Sequence, residues 1–392
     1  MNATVIKSFK TLLQTSFNRI NKRIKQRNNK KVHFRDIVYY ASLMSGNKMS
    51  YDSINAHLKI HDILNVSKKT LVATKNILES KYIKQLNDDI INHIYPTDEP
   101  RIIAVDGTHI TLLKSLTKDG FKVGPNGDCC TALVSTLFDV QREIPINYHL
   151  FKNTDERAAL IEQLQYLKKD DILIMDRGYF SMKLLDRLTQ LNVNVVFRLK
   201  KNLNILKWLK KTNSKMINIR CQPRPIKFRL VKYKVGKEVY YIGTTLYEES
   251  ITYIKALYWT RWRIETSFRY SKYNLSLKAP KSKNDNGIKQ DILIHQFIYL
   301  ISSFFQYLLQ KDITTNHKIS TTSHLNVIVN EFLHLLVYKY ATTKIITNMV
   351  RILNISKQIV IPIRKNRHYD RIRITPTSKW CKYGNKYKMT YT

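Results

Sequence analysis

Two short apolar runs each close on an aspartate. Arg101-Ile-Ile-Ala-Val105 leads into Asp106-Gly-Thr, and Asp171-Ile-Leu-Ile-Met175 leads into Asp176-Arg-Gly-Tyr-Phe. Runs of this length and composition read as buried strands. In open α/β sheets functional groups gather where strands leave the core at their carboxyl ends. A strand-end Asp taken alone is more often a turn or capping residue, but Gly107 and Gly178 would let the backbone turn sharply or a ligand come close. A third acid arrives on a predicted helix from Glu249 to about Leu277. Tyr258, Arg261, Glu265 and Lys272 stand there at offsets 0, +3, +7 and +14, within a wedge of roughly 60° on one helix face. Trp259, Trp262 and Phe268 assign other sides of that helix to a core. A carboxylate flanked by cations suits a phosphodiester: the carboxylate holds a metal ion and the cations grip the strand backbone.

Other candidates are weaker. His109 follows Asp106 by three residues, yet no second ligand pairs with it at metal spacing. Asp139, Asp170 and Asp171 are competing carboxylates, and the last two precede their strand, at the wrong end of a sheet. Cys129, Cys130, Cys221 and Cys381 form no C-x-x-C pair, which argues against zinc and redox motifs and fits a reducing compartment. The first residues lack a long apolar segment with a cleavage site, so secretion is not expected. Ile292 to Gln310 runs 19 residues without a charge, but His295, Gln296, Ser302, Ser303 and Gln306 are costly against lipid. It reads as a buried helix, and no membrane partner is expected.

The balance of 67 Lys+Arg against 29 Asp+Glu, a formal +38, is clustered. Met1 to Arg35 carries ten basic and no acidic residues, and Arg198 to Lys237 fourteen and none. Lys357 to Thr392 carries ten and only Asp370. Three such runs, separated by core-like sequence, suit an extended polyanion, and nucleic acid before anionic membrane.

The elements that must position the acids divide at about residue 97. Before it the texture is helical: Ile37, Val38, Ala41, Leu43 and Met44 recur at helical spacing up to a Gly46-Asn47 break. Ser50 and Ser67 can cap two further short helices. With Lys68 and Lys69 on its polar side, this region suits a helix-turn-helix-like DNA-binding domain or, in the bland reading, a three-helix bundle. After Pro100 come a strand, a Gly124-Pro-Asn-Gly127 turn, strands at Thr131–Phe138 and Ile144–Phe151, and a helix from Asp155 to Leu167. A strand at 171–175, a helix opened by Ser181 and a strand at Val193–Leu199 complete the series. That order is the one of a ribonuclease-H-like mixed sheet with helices on its faces. The predicted catalytic core is thus 98–199 with 247–315, interrupted by a basic β insertion at 200–246. A basic region follows at 316–392, read as DNA or dimer contacts, and no internal repeat is visible.

Asp106-Gly-Thr, Asp176-Arg-Gly-Tyr-Phe and Tyr258-x2-Arg261-x3-Glu265-x6-Lys272 together resemble the signature of the insertion-sequence-four family of DDE transposases. The resemblance covers about 100–277. It implies a cut-and-paste transposase that binds terminal inverted repeats and acts through hairpin ends. It further implies that Asp106, Asp176 and Glu265 bind two Mg²⁺ or Mn²⁺ ions, hard cations suited to oxygen ligands. Tyr258, Arg261 and Lys272 would hold terminal phosphates, and Arg177 would support the site or the DNA, or form a structural salt bridge. Trp208 would stack on an extruded base or pack in the insertion's own core. The implied partners are transposon-end and target duplexes and a second copy of the chain in a synaptic homodimer. The implied location is cytoplasmic and nucleoid-associated in a bacterium, nuclear or viral in a eukaryotic host. The competing readings are a decayed transposase that only binds DNA, a ribonuclease-H-like nuclease and a basic architectural protein. The first would be expected to have lost an acid, and the last would not need strand-end carboxylates.

Overall fold

The computed structural model describes residues 2–24, 32–46, 49–124, 126–219, 225–277, 280–314 and 316–363. In chain order the helices are α1 (Ala3–Arg23), α2 (Phe34–Gly46), α3 (Tyr51–Ile60), α4 (Lys68–Ile77), α5 (Ser80–Ile94), α6 (Glu156–Gln163), α7 (Met182–Gln190), α8 (Ile251–Trp259), α9 (Trp262–Asn274), α10 (Asp285–Gln310), α11 (Thr321–Val327), α12 (Leu333–Val337) and α13 (Thr343–Gln358). The strands are β1 (Ile102–Leu112), β2 (Lys122–Val123), β3 (Cys130–Asp139), β4 (Ile144–Phe151), β5 (Ile172–Met175), β6 (Asn194–Arg198), β7 (Ser214–Ile219), β8 (Ile226–Val235), β9 (Glu238–Thr244), β10 (His317–Ile319) and β11 (Val360–Pro362). Two compact units result: Tyr95–Thr108 with Leu133–Arg269, and Met1–Ile94 with His109–Ala132 and Tyr270–Thr392.

The first unit is built on a mixed sheet. β5 runs parallel to both β1 and β6, while β4 is antiparallel to β3 and β9 to β6. Across the sheet the order is β3-β1-β5-β6-β9-β8-β7, with β4 outside β3. The basic β insertion therefore adds three antiparallel strands to the edge at β6. Gly243 permits that junction, because a Cβ there would stand 2.3 Å from the Phe197 ring. Phe197 in turn stacks on Phe180 at 5.1 Å.

A buried ion pair sets the register of the central strands. Arg101 and Asp171, just before β1 and β5, are both buried. Arg101 donates to Asp171 Oδ1 from its backbone N at 2.9 Å and from Nε at 3.1 Å, and to Oδ2 from Nη2 at 2.6 Å. With this fork in place Ile102 lies opposite Ile172 and Ala104 opposite Ile174. The same register, continued, sets Asp106 beside Asp176. One expectation is corrected here: β1 does not stop at Val105 but runs on to Leu112. Asp106 is a mid-strand residue where the shorter neighbour β5 has already ended, so only Asp176 is strictly a strand-end residue.

The second unit is helical, and α10 is its axis. It is the one described helix long and apolar enough to cross a bilayer, and it lies buried against α2, α5 and α13, as its polar residues led us to expect. Those polar groups find partners. His295 bonds to the carbonyls of Asp291 and Leu275, and His324 bridges Ser302 O and Ser356 Oγ. Lys75 meets Asp291 at 3.0 Å, with both side chains buried. At the N-terminal end Lys10 Nζ donates to the carbonyls of Leu335 and Leu336 at the end of α12. Ser50 and Ser67 cap α3 and α4 as predicted, accepting from Ser53 N and Thr70 N. The sequence had separated three N-terminal helices where five are described, and it had not foreseen that residues after 270 share their core. Asn47, Pro125, Cys221, Asp370, Cys381 and most of the basic C-terminal run lie outside the described residues.

Removing Asp171 would leave the Arg101 guanidinium buried and unpaired, which costs about 3–5 kcal/mol. Asp171→Ala should show that loss in urea unfolding, and the Arg101→Met/Asp171→Leu pair should regain most of it. A single-variant loss below about 1 kcal/mol would remove the fork from its structural role.

Candidate active site

Asp176 follows the last residue of β5, in a turn closed by Tyr179 N donating to Asp176 O at 3.1 Å. Ser181 then caps α7 as expected, accepting from Leu184 N. Asp106 accepts from the backbone N of Gly107 at 2.9 Å, which orients its carboxylate along β1. The third acid comes from α9, and here the predicted continuous helix is corrected. The chain breaks between α8 and α9 at Thr260 and Arg261, where Thr260 N, Arg261 N, Arg263 N and Ile264 N each donate to the carbonyl three residues back. Such tightening rotates successive side chains away from ideal α positions. Tyr258 and Glu265 therefore belong to different helices, and the single-stripe geometry holds only from Arg261 onward.

The side chains nonetheless converge. Tyr258 donates from its hydroxyl to Asp176 Oδ1 at 3.1 Å. Arg261 reaches Asp106 Oδ2 with Nη1 at 3.4 Å and Glu265 Oε1 with Nη2 at 2.8 Å. One buried guanidinium and one buried phenol thus hold all three predicted acids. A forked guanidinium can serve two carboxylates at once, which an ammonium cannot do with fixed geometry. Trp262 and Tyr258 lie against the Arg261 guanidinium, at 5.2 and 6.0 Å from their ring centres.

The cluster carries more negative charge than one guanidinium offsets. Burial, with Glu265 and Asp176 adding to it, pushes the Asp106 carboxyl up to about 6 despite Arg261 and the Gly107 N–H. Burial and the nearby Asp176 likewise raise the Tyr258 phenol, so it remains a donor. Burial and the charges of Asp106, Asp176 and Asp155 raise Glu156, an acid that the sequence reading passed over.

The remaining candidates sort clearly. Arg177 is exposed, and with Asp176, Gly178, Lys200, Lys201 and Asn202 it lines a cavity of about 560 Å³. Three cations beside one triad acid form a setting for an anion. Trp208 is 57% exposed, which excludes the reading of a packed core residue, and Lys215 lies over its ring at 4.4 Å. Trp259 is 56% exposed, against the expectation of burial. Lys272 lies on the last turn of α9, within the helical unit, and is half-buried. Lys68 pairs with Asp52 at 2.7 Å on the surface, and Lys69 is exposed. His109 is exposed. Asp139 accepts from Tyr95 and from the turn amides of Gln141 and Arg142, a structural role, and Asp171 belongs to the register fork. Glu156 and Tyr179 lie within the electrostatic reach of Asp106 and Asp176, and the sequence reading gave neither a role of its own. The available signal was position: Glu156 opens the helix that follows β4, and Tyr179 stands three residues past Asp176.

The sequence profile described as the transposase DDE domain matches residues 97–301, more than half of the chain. The chain belongs to the transposase DDE domain family. By class it is a DNA transposase. Among solved structures it is similar to the piggyBac transposase in a synaptic complex with hairpin DNA, at TM-score 0.46 and 12% identity, over 90% of this chain and 85% of that one. No curated protein matches.

DDE transposases generally use divalent ions such as Mg²⁺. Among the described residues no three His, Cys, Asp or Glu side chains converge closely enough to hold an ion as they stand, since Arg261 lies between Asp106 and Glu265. The donor chemistry fits all the same: three carboxylates around one guanidinium, with Asp106 lifted chiefly by burial, form an all-oxygen set short of positive charge.

Asp106 ordinarily titrates at 3.8 and in the fold at about 6, so between those values the folded chain binds more protons than the unfolded one. The stability from this group is present at low pH and is lost as pH rises through that window. In EDTA at pH 7.5 Asp106→Asn should therefore melt about 2–4 °C above wild type, and the gap should close by about pH 4. Calorimetry checks this, and a lower melting point at pH 7.5 would mean that the Arg261 contact outweighs the repulsion.

Proposed function

We propose that this transposase is of the insertion-sequence-four type, cutting at the terminal inverted repeats of its element and transferring the freed ends to target DNA, with hairpin ends as the intermediate. One observation carries the reading: Tyr258 and Arg261, two members of the Tyr-Arg-Glu-Lys spacing, bond to Asp176, Asp106 and Glu265. A spacing that merely recurred by chance would have no reason to join the acids of two separate strands. The strand order β4-β3-β1-β5-β6, with the helices between β4, β5 and β6, supports a ribonuclease-H-like core.

In this reading Asp106, Asp176 and Glu265 hold two Mg²⁺ or Mn²⁺ ions. When bound, these lower the barrier for water or a 3′-hydroxyl to displace the strand at phosphorus. The chain's own groups do the rest. Tyr258 fixes Asp176 by its hydroxyl, and Arg261 fixes the distance between Asp106 and Glu265. Arg177, with Lys200 and Lys201, receives the phosphates of the strand beside Asp176. Lys272 contributes a further phosphate contact, and the exposed ring of Trp208 offers a face for an extruded base. Lys68 and Lys69 belong to a DNA-binding domain at 1–97. The sheet unit, Tyr95–Thr108 with Leu133–Arg269, would carry the catalytic acids and the insertion at 200–246, and the basic region at 316–392 would engage DNA or a second copy in a synaptic homodimer. In a bacterium such a protein works in the cytoplasm on the nucleoid.

The test is the purified chain with end-labelled duplexes carrying the inverted repeats that flank its gene. With Mg²⁺ the wild type should nick at the repeat boundary. Asp176→Asn and Glu265→Gln should lose cleavage by at least about a thousandfold while binding the same DNA. Near wild-type nicking by Asp176→Asn would take that residue out of the mechanism.

Binding itself should be steeply salt-dependent. With about ten phosphates engaged, affinity should fall by several decades between about 50 and 200 mM salt. A slope worth two or three contacts would detach the basic runs from DNA.

A further inference from the structure

The two glycines of the aspartate motifs share a neighbour. A Cβ on Gly107 would stand 2.7 Å from Leu133 Cδ1 and 3.1 Å from Glu156 Oε1, and one on Gly178 would stand 3.5 Å from Glu156 Oε2. Both glycines have φ values open to any residue, since the positive-φ glycines are Gly120, Gly127 and Gly236. What they supply is therefore space. The bare backbone after Asp106 leaves room for Leu133 and the Glu156 carboxylate, and the one two residues after Asp176 borders the same carboxylate at contact distance.

That carboxylate is held in place from behind. Asp155 caps α6, accepting from Arg157 N and Ala158 N, so Glu156 begins a capped helix. It is half-buried, and among the described residues no hydrogen bond or ion pair engages its carboxylate. Tyr179 is fully buried, its hydroxyl has no partner among the described residues, and the charges acting on it are Glu156, Asp106, Arg261 and Asp176. A buried hydroxyl without a partner is costly, and Glu156 stands first among the charges that act on Tyr179. Glu156 beside Asp106 and Asp176 would add an oxygen donor to the surroundings of a hydrated divalent cation.

Resting on the transposase reading above, we propose that Glu156 is a fourth carboxylate of the catalytic centre, a positioning residue that with Tyr179 grips the water shell of the divalent ion held by Asp106 and Asp176. Gly107 is part of the same device, because a side chain there would press on Leu133 and on the Glu156 carboxylate.

Outer-shell partners of this kind typically change metal affinity 10–100-fold. The experiment is Mn²⁺ binding to the full chain without DNA, followed by the paramagnetic resonance of free Mn²⁺, with thermal melting in EDTA as the fold control. Glu156→Gln should bind Mn²⁺ about tenfold more weakly while melting no lower than wild type, because an unpaired charge has been removed. Tyr179→Phe should weaken binding in the same direction by a smaller factor. Wild-type affinity in Glu156→Gln, with Asp106→Asn and Asp176→Asn impaired, would overturn the role of Glu156 and leave the triad standing. Wild-type affinity in Asp106→Asn and Asp176→Asn would instead overturn the triad itself, and Glu156 with it.

Discussion

The active-site geometry depends on an ion pair at the opposite end of the strands. Arg101 and Asp171 meet below β1 and β5, and their bidentate contact admits one register. Because side chains alternate along a strand, a slip by one residue would send Asp106 to the other face. Parallel pairing alone does not prevent this, since both runs are uniformly apolar and would pack nearly as well one step out. The charged fork is specific where the apolar surface is not, and burial makes the wrong register expensive for two charges at once.

A second constraint is electrostatic. Carboxylates in a half-buried site are costly to ionise: burial raises Asp106 most, and Glu265 and Asp176 add to it against Arg261. The result is a centre whose negative charge exceeds its internal compensation, which is the condition for recruiting a cation. Tyr258 and Arg261 keep the acids apart and oriented meanwhile. Stability is given up locally and held elsewhere, in a sheet widened to the edge at β7 and in a helical unit built around α10.

Much of this was legible in the sequence. The strands around Asp106 and Asp176, the caps Ser50, Ser67 and Ser181, and the buried nature of α10 followed from apolar runs, hydroxyl positions and polar residues within an apolar stretch. The family signature drew attention to Tyr258 and Arg261. What the sequence hid was set by tertiary context. The length of β1 past Asp106 follows from its partners, not from its own apolar run. The turn at Thr260 and Arg261 has no Gly or Pro to announce it. Glu156 carried no motif, and its place at the site depends on where α6 starts relative to two glycines some 20 and 50 residues away. Gly107 and Gly178 were read as points of flexibility or ligand approach; at Gly107 a Cβ would meet Leu133 and Glu156, which no sequence pattern announces.

The composition of the helical unit also dictates when it can form. Its N-terminal helices end at Ile94, while the helix that fills their core ends at Gln310 and the carbonyls that receive Lys10 belong to Leu335 and Leu336. A ribosome adding about 5–20 residues per second needs roughly 10–50 s to cover that interval. Throughout it the apolar faces of α1, α2 and α5 have no native partner. The nascent chain is thus exposed to chaperones and proteases until synthesis is nearly complete, whereas the β-sheet unit between them can close earlier. Messages broken before residue 310 would yield chains with a formed sheet and an open helical half, and the cell's quality control would remove them before they reached DNA.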